Sequence, residues 1–204
     1  MSMLYADEEA YSIAADRAAA ELAALDPLTV AAAKGAEFDP AAGVFRFALL
    51  GEAVEVTFPA GKVTCPSQRP VTGASTVLAL HYLVYSGEPL RSEGWLAYRD
   101  LPAARHFAAW FEHAVEKRIA DAFACNPAGL DAPAASLGGV PSDTGDRSFE
   151  IPALPRVPLL LVLWGDTDEV GGSCSVLFRP TAPTYLHTED LAVLGVLLAQ
   201  RVSG

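Results

Sequence analysis

Asp166, Asp168 and Glu169 place three carboxylates within four residues, between Gly165 and the pair Gly171-Gly172. Hard cations take oxygen ligands, and a flexible Asp-x-Asp can supply two of them. The flanking glycines give the backbone the freedom that a tight turn needs. The register begins like a calcium loop, with acids at the first and third positions and Gly171 at the sixth. It then departs. Val170 holds the fifth position, Leu177 stands where a bidentate Glu is required, and apolar β-rich runs replace the flanking helices, which excludes an EF-hand. Two readings stay open: a solvated acidic turn, or a looser metal or cationic-ligand site built from Asp166, Asp168 and Glu169. Clustered carboxylates repel one another, and a compensating cation would relieve this: a metal ion, or an arginine such as Arg99 or Arg147.

Other residue types with chemical potential are scattered. His81 sits inside an otherwise apolar stretch, STVLALHYLVYS. It reads as a core histidine bonded to backbone or water, with ligand binding as the alternative. Gly138-Gly139 could cradle a ligand with backbone N–H groups, but the strand–glycines–helix context of a phosphate loop is missing, so a plain turn is the competing reading. Trp95, Tyr98 and Trp164 are aromatics available to a ligand. His106 and His113, seven residues apart on one helix, stand about 10 Å from each other, too far to share one metal. G-x-S-x-G and H-E-x-x-H are absent, and Cys65, Cys125 and Cys174 form no C-x-x-C pair. That rules out a zinc knuckle or iron–sulfur cluster made by this chain alone. Cys174 reads as a small hydrophobe in a strand.

Alternation and punctuation define the elements that must position these groups. Residues 7–24 form an Ala-rich surface helix, stopped by Asp26-Pro27, which opens a short second helix closed by Gly35. Residues 45–58 alternate on both sides of Gly51-Glu52, a hairpin signal. A Pro/Gly loop leads to a buried helix over 75–86, capped by Ser75 or Thr72. A short arm at 94–100 precedes the longest expected helix, from Pro102 to about residue 124. Its core face is Phe107, Trp110, Phe111, Ala114, Ile119 and Phe123, with Glu112, Glu116 and Lys117 on a solvated face. Residues 126–155 carry five prolines and four glycines and read as a long loop interrupted by a strand at 148–151. The run VPLLLVLWGDTDEVGGSCSVLFR is a second hairpin with the acidic loop at its tip. Thr188 caps the last helix, where Glu189 and Asp190 suit the positive dipole end, and Gly195 within it implies close packing.

The two hairpin–loop–helix units superpose in spacing: 24 residues from Gly51 to Ser75 and 23 from Gly165 to Thr188. The expectation is a single α+β domain over residues 1–204, with one antiparallel sheet built from the two units. Buried helices lie on one face, and an additional long helix packs around them.

Composition bounds the partners. A net charge of -11, with 51% hydrophobic and 19% charged residues, describes a globular protein unsuited to nucleic acid or to an anionic membrane surface. No apolar run reaches the ~20 residues needed to span a bilayer. The acidic N-terminus lacks a signal pattern. A soluble, cytoplasmic protein is expected.

Three segments, ALDPLTVAAAKGAEFD, VLALHYLVYSGEPLRSEGWLAYRDLP and IPALPRVPLLLVLWGDTDEVGGSCSVLFRPTAPTYLHTEDLAVLG, together resemble the bacterial domain-of-unknown-function 3786 family over most of the chain. The last block is the most specific. The resemblance aligns Trp164, Gly165, Asp166 and Glu169 with the family's Trp-Gly-Asp-acid stretch and assigns them no role. Through members fused to an iron–sulfur domain, it implies a setting of anaerobic or corrinoid-linked metabolism. This chain carries no cysteine cluster of its own.

The first expected function is a binding or accessory module for a small ligand or a partner protein. The alternatives are an enzyme using the acidic loop with a divalent metal, and a structural subunit of an oligomer. A homodimer would meet through Leu191, Val193 or Leu198 of the terminal helix. No cofactor follows from these residues.

Overall fold

The computed structural model describes residues 8–67, 70–167 and 171–204. Helix α1 (Glu8–Ala23) is followed at once by α2 (Pro27–Lys34). Asp26 caps α2 by accepting the Thr29 N–H at 2.8 Å, Pro27 opens it, and Gly35 closes it at φ 65. These are the signals that the sequence displays.

Strands β1 (Glu37–Asp39), β2 (Val44–Leu49), β3 (Glu52–Thr57) and β4 (Val63–Thr64) form one antiparallel sheet in that order. Leu49 pairs with Glu52 around a two-residue turn in which Leu50 (φ 48) and Gly51 (φ 74) are both left-handed, the twist that hairpins favour. Phe45, Phe47 and Leu49 alternate inward and are buried. Next comes α3 (Gly73–Val84), capped by Thr72, with Val77 to Leu80, Tyr82 and Leu83 buried. His81 alone breaks that run.

The second sheet runs β5-β9-β8-β7-β6, from β5 (Leu96–Ala97), β6 (Val140–Pro141), β7 (Arg147–Leu154), β8 (Val157–Trp164) and β9 (Ser173–Phe178). The α+β, antiparallel class therefore stands, but the two hairpins lie in two sheets. Sheet-to-sheet continuity is replaced by a single backbone bond at the first hairpin's tip, Leu50 N–H to Ala153 O at 2.8 Å. Left-handed Leu50 and Gly51 turn that tip against Ser136 and Leu137, so β2 and β7 meet end on.

The expected long helix from Pro102 is broken. Ala103 is left-handed (φ 58), residues 104–106 form a 3-10 turn, and α4 (Ala108–Phe111) passes through a π-helical segment, Glu112–Lys117, into α5 (Arg118–Phe123). The wider π turn changes which residues face inward. Phe111 and Ile119 are buried as expected and Val115 joins them, while Phe107, Trp110, Ala114 and Phe123 are only half-buried. Glu116 is not on a solvated face. It is half-buried and accepts the Val176 N–H of β9 at 3.0 Å, and burial pushes its carboxyl pKa up.

Residues 126–155 are not a long loop. They hold a 3-10 turn (Pro127–Leu130), α6 (Asp131–Ser136), β6 and β7. The prolines misled because Pro127 and Pro133 occupy first turns, where a missing N–H costs nothing.

Helix α7 (Thr188–Ser203) packs against α3, α5, α6 and the π segment. Leu191, Val193 and Leu198 are at most 5% exposed, so the residues expected at a dimer contact are consumed by this chain's own core. Thr188 does not cap α7; its hydroxyl donates to Pro102 O at 2.7 Å. Gly195 does allow close packing: a Cβ there would lie 2.5 Å from Phe111. Among the described residues, no helix is long and apolar enough to cross a membrane.

Candidate functional site

Helices α1, α3 and α7 bound a cleft of about 1050 Å³, closed at its fourth side by Pro102, Ala103 and Phe107. Two glycines seat α1 over it. A Cβ on Gly61 would meet Ala19 at 2.4 Å and one on Gly73 would meet Tyr11 at 2.9 Å, so both positions are flat because α1 lies on them. This close approach is what leaves Ala14, Arg17, Ala18 and Glu21 facing the end of α3. Ile13, 64% exposed, adds an apolar edge.

At the cleft's base, His81 turns Nδ1 to Asp190, 3.0 Å from each carboxylate oxygen. Asp190 is 2% exposed, and His81 keeps 20% of its side-chain surface. A carboxylate accepts only, so Nδ1 carries the proton, and Nε2 is the nitrogen left for a ligand or water. Burial opposes protonation of the imidazole, but the hydrogen bond to Asp190 and its charge outweigh that cost and hold the pKa above the usual histidine value. Glu21 adds to the rise and Arg17 subtracts from it. Beside this pair the Tyr85 and His187 rings lie 3.8 Å apart, centroid to centroid. The arrangement can hold a polar group at Nε2, exchange a proton with it, and cover an apolar body with Val84, Phe107 and Leu186.

His81 is thus neither bonded to backbone nor isolated, and it is the one residue of the sequence-derived set that lines this cleft. The other described members lie elsewhere. Trp95 carries the Arg179 guanidinium 3.8 Å above its ring, and Arg179 also bonds Glu150 at 3.3 Å. The Gly138 and Gly139 N–H groups donate to Ala135 O and Ala134 O at 3.0 and 2.9 Å, so they close α6. Gly139 also borders a smaller cavity of about 470 Å³ with Asp131, Asp146 and Arg147.

Trp164 is 39% exposed at the end of β8. Asp166 accepts the Gly172 N–H and the Cys125 thiol, the latter at 2.9 Å; both bonds hold its carboxyl below the usual carboxylate range. Asp168 and Glu169 lie outside the described residues. The compensating arginine does not come to Asp166 from Arg147, which pairs with Asp131 at 3.2 Å. Among the described residues, no group of three or more His, Cys, Asp or Glu could hold a metal ion.

Sequence reasoning missed Asp190, Tyr85, Glu88 and His187. Asp190 had been absorbed by its place in the first turn of α7, a role that its exposed neighbour Glu189 fills. The available signal was a lone histidine in one buried helix and a surplus acid at the start of another.

The fold and cleft define an α+β protein of two antiparallel sheets with an interhelical cavity centred on a histidine–carboxylate pair. The chain belongs to the family described as Domain of unknown function (DUF3786), which matches residues 26–201. The match contains α3, most of α7 and both members of the pair; α1 lies before it. No curated protein and no solved structure shows significant similarity to the chain.

Proposed function

We propose that the protein is a small-molecule-binding module whose ligand occupies the cleft between α1, α3 and α7. The observation that carries this reading is the His81–Asp190 pair at the base of a cavity large enough for a metabolite. A buried carboxylate costs folding free energy unless it is paired. Here the pair is placed where one imidazole nitrogen stays available, and apolar walls with a few convergent polar groups are the usual makeup of a ligand site. Three free cysteines and the acidic balance support a cytoplasmic setting. A link to anaerobic or corrinoid metabolism has the family resemblance as its support.

The test is a metabolite screen by thermal shift on the parent, followed by NMR mapping. A ligand at one hundred times its Kd stabilises the folded state by about 2.7 kcal/mol. Expected hits shift the resonances of His81, Tyr85 and Leu186 and are lost in His81→Ala. Hits that map to the Asp166 loop, and survive His81→Ala, would overturn the assignment.

A further inference from the structure

We infer that the ligand of this cleft is an organic cation, an amine or quaternary nitrogen carried on an apolar body; this rests on the cleft being the binding site. Among the described residues, four carboxylates line the cavity, Glu21, Glu88, Glu189 and Asp190, against one arginine, Arg17. That arginine is already committed to Glu21, at 3.2 Å on the same helix. Asp190 is matched by His81. Glu88 and Glu189 remain, both exposed at the mouth, beyond the end of α3 and in the first turn of α7. The first-turn N–H groups of α7 would otherwise favour an anion, but Glu189 and Asp190 occupy that end of the dipole.

The walls suit such a guest. Tyr85 and Phe107 line the cavity and are of the residue types that receive a cation, while Val84, Leu186, Pro102 and Pro183 line it with hydrocarbon. An anion would meet the field of the mouth carboxylates, and Arg17, the arginine among the described lining residues, is 83% exposed and paired with Glu21. Among the described residues, the charged groups that act on His81 are Asp190 from α7 and Glu21 and Arg17 from α1, with the His187 ring 6.4 Å away and Glu88 lining the same cavity. A bound cation therefore competes with the proton on His81, and an anion would favour that proton.

Three probes of matched length, n-hexylamine, n-hexanol and hexanoate, separate the possibilities when titrated at millimolar concentration by NMR. Hexylamine should perturb His81, Tyr85 and Leu186 and bind on the order of fivefold tighter than hexanol, with hexanoate weakest. Its affinity should fall as pH is lowered through the His81 titration, and the His81 midpoint should drop when it binds. In Glu88→Gln/Glu189→Gln the preference for hexylamine over hexanol should collapse while hexanol binding is unchanged. Hexanol or hexanoate binding the cleft as tightly as hexylamine would overturn the cation assignment and leave the cleft in place. So would a preference that survives the double substitution. If none of the three perturbs cleft resonances, the binding-site reading falls with it.

Discussion

His81 and Asp190, 109 residues apart in the chain, are joined by an imidazole Nδ1 that lies 3.0 Å from both oxygens of one buried carboxylate. The pair ties α3 to the start of α7 and fixes the ring's orientation in the cleft. Its worth depends on pH with a definite sign. The folded pKa of His81 lies above its ordinary value, so the stabilisation is full below the unfolded pKa of ~6.5 and is lost as pH rises through the folded value. Asp190→Asn should lower the His81 midpoint in a ring NMR titration. It should also destabilise the fold by roughly 1–3 kcal/mol in acid, with a smaller loss above the histidine titration. An unchanged His81 midpoint would contradict this.

Gly195→Ala sets helix propensity against packing. Alanine gains ~1 kcal/mol over glycine in a helix interior, but its Cβ would lie 2.5 and 2.8 Å from two Phe111 ring atoms. Phe111 is 1% exposed and stacked on Tyr98 at 4.2 Å, so the ring has nowhere to go. Packing wins, and the net loss should be roughly 1–3 kcal/mol in urea unfolding.

Lys34 is 6% exposed. Its ammonium donates to Tyr85 O and lies 5.6 and 5.4 Å from the Tyr82 and Tyr185 ring centroids. Burial pushes its pKa down to about 8. The unfolded chain binds that proton more tightly, so the parent should gain stability as pH rises from the folded value towards the unfolded one of ~10.4. Lys34→Met should lack that increment. Guanidinium unfolding of both proteins across the window compares the slopes directly.

At the tip of the second hairpin, Asp166 restrains Cys125. The hydrogen bond and charge of Asp166 raise the thiol pKa. Asp166→Asn removes the charge, so Cys125 should alkylate with iodoacetamide faster at mildly alkaline pH, because the thiolate is the nucleophile. Buried Cys174, whose thiol burial pushes far up, supplies the control: mass spectrometry should find it unmodified in both proteins.

Local signals and long-range pairings were legible to different degrees. Asp26-Pro27 with Gly35, the hairpin (read around Gly51-Glu52, with its turn one residue earlier at Leu50-Gly51) and the all-apolar helix around His81 were readable because each is decided within a few residues by caps, turn geometry and periodicity. The break after Pro102 and the π segment beyond it were not, since their partners are distant in sequence: Glu116 accepts from the Val176 amide, 60 residues away. Pro127 and Pro133 read as loop residues, although the first turn of a helix tolerates both. The candidate site failed to emerge for the same reason. Asp190 carries a complete local explanation as a helix-dipole acid, and only the packing of α7 on α3 reveals its second role.

The bond from Leu50 N–H to Ala153 O has a bearing on how the molecule comes apart. The first sheet has few strands and short edges, and by itself would open readily. Its hairpin tip is anchored to the end of β7, and Glu52 beside that tip faces Arg201 of α7 at 3.7 Å. Loss of the second sheet would therefore bare the left-handed tip and cost the Leu50 amide its partner, and loss of the first would cost the Ala153 carbonyl its partner. The expected consequence is that the two sheets melt in one transition, instead of peeling in sequence.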